Sequence, residues 1–171
     1  MTGVFFGTYV FANNSALSAI QLPESLTAIA SNCFYSDTHL KNISIPSKVQ
    51  SIGNNAFCRC TSLSNVSIEA TGLTAINQYA FYDCSKLSGL DLPDTVKTIG
   101  DYAFYGCTNL DYAGKQNKEF PSQLTSIGSY AYQGCSNLKS LGISENLQTI
   151  GDYAFAGCYQ ISSIVDKRLS A

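Results

Sequence analysis

The chain has 171 residues, 45% of them hydrophobic and 13% charged, with a formal net charge of −2 from 10 basic and 12 acidic residues. This composition excludes a disordered chain, and it lacks the concentrated Lys and Arg that nucleic acid or anionic lipid would require. No apolar run approaches the ~18 residues of a membrane span, and the opening "MTGVFFGTYVFANNS" has neither the basic flank nor the cleavage pattern of a secretory signal, so the sequence predicts a soluble folded chain whose location it leaves unknown.

The first legible element is the nonapeptide "FGTYVFANN" from Phe6, and its pattern returns along the whole chain. The later copies are "IASNCFYSD" from Ile29, "IGNNAFCRC" from Ile52, "INQYAFYDC" from Ile76, "IGDYAFYGC" from Ile99, "IGSYAYQGC" from Ile127 and "IGDYAFAGC" from Ile150. Seven units therefore span residues 1–171 as one domain, and the intervals between their first residues are 23, 23, 24, 23, 28 and 23. A fixed period of this length decides the fold class before any secondary structure is assigned, because a unit with one apolar stripe buries it only by stacking on its neighbours.

Each nonapeptide is followed by a second repeated stretch, such as "LSAIQLPESL" from Leu17, "LKNISIPSKV" from Leu40 and "LSGLDLPDTV" from Leu87. Counting the first residue of the nonapeptide as position 1, apolar side chains recur at positions 1, 5, 6, 12, 15, 17 and 21. The alternation at 15 and 17 predicts a short strand. All four prolines, Pro23, Pro46, Pro93 and Pro121, fall at position 18 once a five-residue insertion is placed between Leu110 and Pro121. Proline cannot donate a ladder hydrogen bond, so the strand ends there and is about three to five residues long. Phe11, Phe34, Phe57, Phe81, Phe104, Tyr132 and Phe155 share position 6 and should form a buried column.

The pattern Leu-x-x-Ile-x-Ile-Pro-x-x-Val-x-x-Ile-Gly-x-x-Ala-Phe-x-x-Cys resembles the leucine-rich repeat family, and within it the BspA-like class of units of about 23 residues. The resemblance implies an α/β-type repeat solenoid: a right-handed array with a short parallel sheet on the concave side, irregular or short extended segments on the convex side, and little or no helix. It also implies a non-catalytic scaffold for protein–protein binding of a cell-surface, secreted or adhesion type. A spacer segment of a larger repeat protein is the structural alternative, and a carbohydrate-binding module is the third.

The reactive-looking side chains sit in columns. Cys60, Cys84, Cys107, Cys135 and Cys158 occupy position 9, where the first two units have Asn14 and Asp37. A column of thiols could be read as a metal or disulfide site, but side chains in register along a solenoid run parallel and do not converge on one point; small buried hydrophobes are the other reading. Cys33 replaces the Ala of position 5 and should be buried, whereas Cys58 stands at a variable position and should be partly exposed. No disulfide framework is legible. Tyr9, Tyr79, Tyr102, Tyr130 and Tyr153 share position 4 and form either a platform for sugar rings or a protein, or internal packing. Gly7, Gly53, Gly100, Gly128 and Gly151 share position 2 and are expected at a turn of positive φ. Asp101 and Asp152 stand two units apart with Ser129 between, His39 is the only histidine, and no nucleophile, phosphate-loop or zinc motif is present, so neither catalysis nor a cofactor or metal is expected.

Outward-facing strand residues at positions 14 and 16 should line the concave face: Ala19 and Gln21, Asn42 and Ser44, Asn65 and Ser67, Gly89 and Asp91, Ser140 and Gly142. They are small and mostly uncharged, so the break in periodicity is the more pointed candidate. The stretch "LDYAGKQNKEFPSQL" brings Tyr112, Lys115, Lys118 and Glu119 to an expected protruding loop. Neither end of the array carries an evident cap, so self-association through the repeat ends is a further expectation.

Overall fold

The computed structural model describes residues 4–112 and 119–169. Its strands in chain order are β1 (Val4–Phe6), β2 (Leu26–Ile29), β3 (Asn42–Ile45), β4 (Ser51–Ile52), β5 (Asn65–Ile68), β6 (Ala75–Ile76), β7 (Thr98–Ile99), β8 (Ser126–Ile127), β9 (Ser140–Ile143), β10 (Thr149–Ile150) and β11 (Ser163–Asp166), followed by a 3₁₀ turn, Lys167–Leu169. Every strand pairing among the described residues is parallel and, apart from a register shift at Val4 of β1, joins equivalent residues of successive coils, as in Asn42 with Asn65 and Ile127 with Ile150. The chain is a parallel solenoid.

The strands form two rows. One lies at positions 14–17 and comprises β3, β5, β9 and β11, extended by single bridges at Ala19, Gly89 and Glu119. This is the strand that the alternation predicts: Asn42 and Ser44 are exposed, Ile43 and Ile45 are buried, and the element stops before Pro46. The prolines then open a turn, because their carbonyls accept from the residue three positions on, as in Val49 N–H to Pro46 O at 3.1 Å. The second row, around positions 23 and 1, comprises β1, β2, β4, β6, β7, β8 and β10. The sequence reading has it only as short extended segments.

Between the rows, the nonapeptide folds as a stack of turns. Odd-numbered amides close turns within a coil: Cys33 N–H donates to Ala30 O, Tyr35 to Asn32 O and Asp37 to Phe34 O, at 3.1–3.3 Å. Even-numbered amides reach the next coil: Asn32 N–H donates to Asn54 O, Phe34 to Ala56 O and Ser36 to Cys58 O, at 2.8–2.9 Å. The inter-coil bonds recur in every following coil down to Gly134 N–H on Ala156 O at 2.8 Å. The turns thereby satisfy the amides that would otherwise be buried without partners, each such bond being worth a net ~0.5–1.5 kcal/mol.

Reaching both partners needs two left-handed residues per coil, at positions 4 and 8. Asn32 (φ 59°), Asn55 (57°), Tyr79 (58°) and Tyr102 (57°) illustrate the first, and Arg59 (61°), Asp83 (57°) and Gly106 (70°) the second. The position-2 glycines are not among the positive-φ residues, which corrects the sequence expectation. Their reason is close approach. A Cβ on Gly53 would lie 2.4 Å from Ser31 N, and one on Gly151 2.4 Å from Ser129 N. With no side chain, Gly53 N–H reaches Ile29 O at 2.8 Å and Gly151 N–H reaches Ile127 O at 2.8 Å.

Packing follows the columns. In the third coil Ile52, Ala56, Phe57, Cys60, Leu63 and Val66 are all buried. The position-6 rings stack without a break from Phe11 to Phe155, with centroids 5.0–5.4 Å apart. Each position-9 thiol donates to the position-6 carbonyl of the preceding coil, from Cys60 Sγ on Phe34 O at 3.0 Å to Cys158 Sγ on Tyr132 O at 3.1 Å. Asp37 takes that place in the second coil. Its Oδ1 accepts the Asn14 N–H at 2.7 Å, and its buried Oδ2 has no hydrogen-bond partner among the described residues.

Departures in period fall outside the turn stack. The third unit has one residue more, between Ile68 and Leu73, and the second row divides there, between β4 and β6. Asn77 stands where the neighbouring units have Gly, and its Nδ2 donates to Ile52 O at 2.7 Å in place of the backbone amide.

Two outcomes follow from this packing. Phe104→Ala removes the stacks to Phe81 and Tyr132 and opens a cavity in mid-array, so thermal melts should show a loss of ~3–5 kcal/mol; near-zero loss would mean that the column is not core. Burial raises the Asp37 carboxyl from 3.8 to about 6 against the lowering effect of the Asn14 N–H, so the folded chain binds this proton more tightly than the unfolded one. The stability that it contributes is therefore complete below pH 3.8 and lost as pH rises through about 6. Asp37→Asn keeps an acceptor for Asn14 without the charge. In denaturant melts it should be more stable than the parent by ~1–3 kcal/mol at neutral pH, with the difference closing near the unfolded pKa.

Candidate functional site

The concave face is built by the first strand row, whose alternation turns positions 14 and 16 outward. Asn42, Ser44, Asn65 and Ser67 are all exposed there. Asn65 Nδ2 donates to Asn42 Oδ1 at 2.8 Å, and Ser44 Oγ donates to Glu69 Oε1 at 3.0 Å. These residues, with Ala19 and Ile20, line a shallow trough of about 310 Å³. Asn65 and Ser67 also bound the next recess, of about 400 Å³, together with Ser88, Gly89, Asp111 and Tyr112, and with Asn109 and Asn137 at its edge. The two recesses adjoin at Asn65 and Ser67 and form one continuous trough.

Tyr112 closes it. A Cβ on Gly89 would lie 2.3–2.5 Å from Cε1, Cζ and Oη of Tyr112, so the ring occupies the space that a side chain on Gly89 would fill. Burial pushes the Tyr112 phenol up, followed by the charges of Asp91 and Asp111. Asp91 is exposed at position 16 of the fourth coil, and Asp111 pairs with Lys139 at 3.6 Å. Thus five of the residues expected from the sequence, Asn42, Ser44, Asn65, Ser67 and Tyr112, come together, and Asp91 acts on the last of them.

Glu119 lies elsewhere. The expected loop includes it, but the chain has already rejoined the sheet at that point: Glu119 pairs with Gly142, and Phe120 N–H donates to Gly142 O at 3.0 Å. Its Oε1 is 2.8 Å from Lys167 Nζ. That ion pair is flanked by two voids of about 400 and 450 Å³, and Gly142, expected on the open face, is buried beside it. Lys115 and Lys118 fall outside the described residues.

The sequence reading counts Gly89 among the outward residues but misses its role as the seat of Tyr112. A signal was present. Position 14 carries Ala19, Asn42, Asn65, Tyr112, Ser140 and Ser163, and the glycine stands one unit before the aromatic. Asn109, Asn137 and Lys167 are also absent from the sequence-based set.

The other reactive-looking groups are engaged in packing. Burial pushes the thiols of Cys84 and Cys135 well above the ordinary cysteine range, and that of Cys158 to about 11. Cys33 is buried as expected, but Cys58 is buried too, at 5% exposure, which corrects the expectation of a partly exposed thiol. Nothing in the structure explains why cysteine stands there. Among the described residues no group of three or more His, Cys, Asp or Glu is placed to hold a metal ion. The tyrosines of position 4 stack along the turn face, Tyr79 on Tyr102 and Tyr102 on Tyr130 at 4.8 Å and Tyr130 on Tyr153 at 5.1 Å.

The pattern described as a BspA type Leucine rich repeat region matches residues 4–111 and 112–168, in six copies. A leucine-rich repeat protein from Bacteroides ovatus superposes with a TM-score of 0.80 at 29% identity, over 94% of this chain and 39% of that one. The T. pallidum leucine-rich repeat protein gives 0.77 at 26% identity, over 93% of this chain and 83% of that one. A leucine-rich repeat protein from Eubacterium ventriosum gives 0.78 at 24% identity, over 91% of this chain and 43% of that one. The chain therefore spans less than half the length of two of these three. A comparison with curated protein sequences found no match.

Gly89→Ala tests the seat of Tyr112. The added Cβ has room only if the ring leaves, so the fold should persist within ~1 kcal/mol while the Tyr112 ring resonances shift in NMR spectra. Unchanged Tyr112 resonances would show that the ring does not rest there.

Proposed function

The chain belongs to the BspA-type leucine-rich repeat family, and from that premise we propose that it is a non-catalytic scaffold whose concave face binds a protein partner, in recognition of a cell-surface or adhesion type. The observation that carries the reading is the continuous trough from Ala19 to Tyr112. Its walls are mostly short uncharged side chains, and the charge that lines it, Asp111, is exposed and paired with Lys139, so a partner surface can approach the sheet without desolvating a buried charge. Its end is an aromatic ring, the kind of group that anchors protein interfaces. The small lining residues set a floor that admits protruding side chains, with Ile20 and Ile43 giving apolar contact at one end and Tyr112 at the other.

Reading the turn-face tyrosines as a sugar platform meets a geometric objection. Sugar rings lie on aromatic faces, and in Tyr102 and Tyr130 both faces are taken by neighbouring rings.

Asn65→Arg puts a long charged side chain in the middle of the trough, and Tyr112→Ala removes its anchor. With the full chain immobilised, a protein captured from a cell-surface fraction by the parent should bind each variant at least tenfold more weakly, equivalent to ~1.4 kcal/mol or more. Equal affinity for parent and variants, or no protein captured by the parent, would overturn the concave-face reading.

A further inference from the structure

The opposite, turn-bearing side of the solenoid carries an aromatic surface that the concave-face reading does not use. Two columns of rings run along it. Tyr79, Tyr102, Tyr130 and Tyr153 stack at position 4, with the rings of the first three parallel within 4°. Beside them Tyr82 and Tyr105 stack at position 7, at 4.9 Å and 6°. The columns touch, Tyr79 with Tyr82 at 5.5 Å and Tyr102 with Tyr105 at 5.8 Å. All six rings remain at least partly exposed, and Tyr153 reaches 63%.

The fold does not require these rings. The second and third coils build the same turn with Asn32 and Asn55 at position 4, with the same left-handed φ and inter-coil hydrogen bonds of 2.9 and 3.0 Å. Asparagine is the cheaper occupant of that conformation, and a bulky residue there is an outlier. Replacing asparagine by tyrosine in four successive coils changes the surface and leaves the backbone as it is. What the middle of the surface then presents is ring edges and hydroxyls, since both faces of Tyr102 and Tyr130 are used in stacking.

Charge indicates the partner. The nonapeptides of these four coils contain three charged residues, Asp83, Asp101 and Asp152, and no basic one. Asp101 and Asp152 are exposed beside the tyrosine column. Phenol oxygens and carboxylates accept the forked N–H donors of a guanidinium, and tyrosine edges give it apolar contact.

We infer that the tyrosine column of the fourth to seventh coils, with the second column beside it in the fourth and fifth, forms a second interaction surface, which takes an arginine-bearing segment of a protein partner. It is distinct from the concave trough, and the two readings stand or fall separately.

A fluorescein-labelled nona-arginine peptide is the probe, titrated into the full chain, with nona-glutamate and a hexasaccharide as controls. Tyr102→Asn with Tyr130→Asn preserves net charge and installs the residue that the second and third coils already use. Tyr105→Gln, the residue of Gln133, is a second variant that leaves the left-handed positions alone. The parent should bind the arginine peptide and neither control. Both variants should retain the parent's circular dichroism and bind at least fivefold more weakly, and Asn65→Arg in the concave trough should bind as the parent does. Failure of the parent to bind, equal affinity in the tyrosine variants, or loss confined to the concave variant would overturn the inference. Saccharide binding lost in the tyrosine variants would overturn it in favour of a sugar surface.

Discussion

The structure depends on one ladder of hydrogen bonds: the amides of positions 4, 6 and 8 donating to carbonyls 3, 5 and 7 of the next coil. Making these bonds brings successive backbones to β-strand separation along a segment that is itself a chain of turns, and the rest of the nonapeptide answers to that demand. Position 2 cannot carry a Cβ where a backbone nitrogen lies 2.4–2.7 Å from it, as at Gly53, Gly100, Gly128 and Gly151. Positions 4 and 8 turn left-handed so that their amides point along the array. The position-6 rings, carried by adjacent rungs, are set at stacking distance, and the thiols of position 9 find a carbonyl within reach. Of all parts of the unit the nonapeptide varies least along the chain, because nearly every residue in it either makes this ladder or is constrained by it.

Irregularity is accommodated where that ladder is absent. The extra residue of the third unit divides the second strand row, and the fifth unit carries the five-residue insertion, yet Phe57 N–H still donates to Ala80 O at 2.8 Å and Phe104 N–H to Ala131 O at 2.7 Å across the same junctions. A pairing between two-residue strands, such as β6 with β7, carries only one or two hydrogen bonds, each worth ~1 kcal/mol net. Breaking the turn stack would forfeit three such bonds and a ring stack at once. Extra residues therefore fall outside the nonapeptides, and Asn77 repairs part of the local loss with its own amide.

Much of this was legible in the sequence because burial and period map onto each other one to one. Leu63 and Val66 repeat at Leu87 and Leu90, and proline recurs at the strand exit because the chain turns there in successive coils. The glycines were misread for a physical reason. A recurring glycine can mean positive φ or close approach, and a sequence shows only that it recurs. The residues that do turn left-handed include five tyrosines, whose bulk points a reader away from that conformation. The seat of Tyr112 on Gly89 was visible only as a relation between two residues one unit apart. The burial of Gly142 depends on where the chain rejoins the sheet after its insertion, which no spacing rule specifies.

The division of labour within each coil explains how such a chain can carry recognition at all. The inter-coil ladder is made by backbone atoms, and the core columns by positions 1, 5, 6, 9 and 12, so the side chains of positions 14 and 16 bear little of the load. They are free to differ from coil to coil. Because successive coils sit one strand spacing apart, about 4.8 Å, residues of one column touch across coils, as Asn65 touches Asn42 and Tyr112 covers Gly89. The spacing that stacks phenylalanines in the core thus makes neighbours of residues far apart in sequence on the surface. A binding surface in this architecture is composed down a column, one residue per coil, and its specificity lies in the order of those residues.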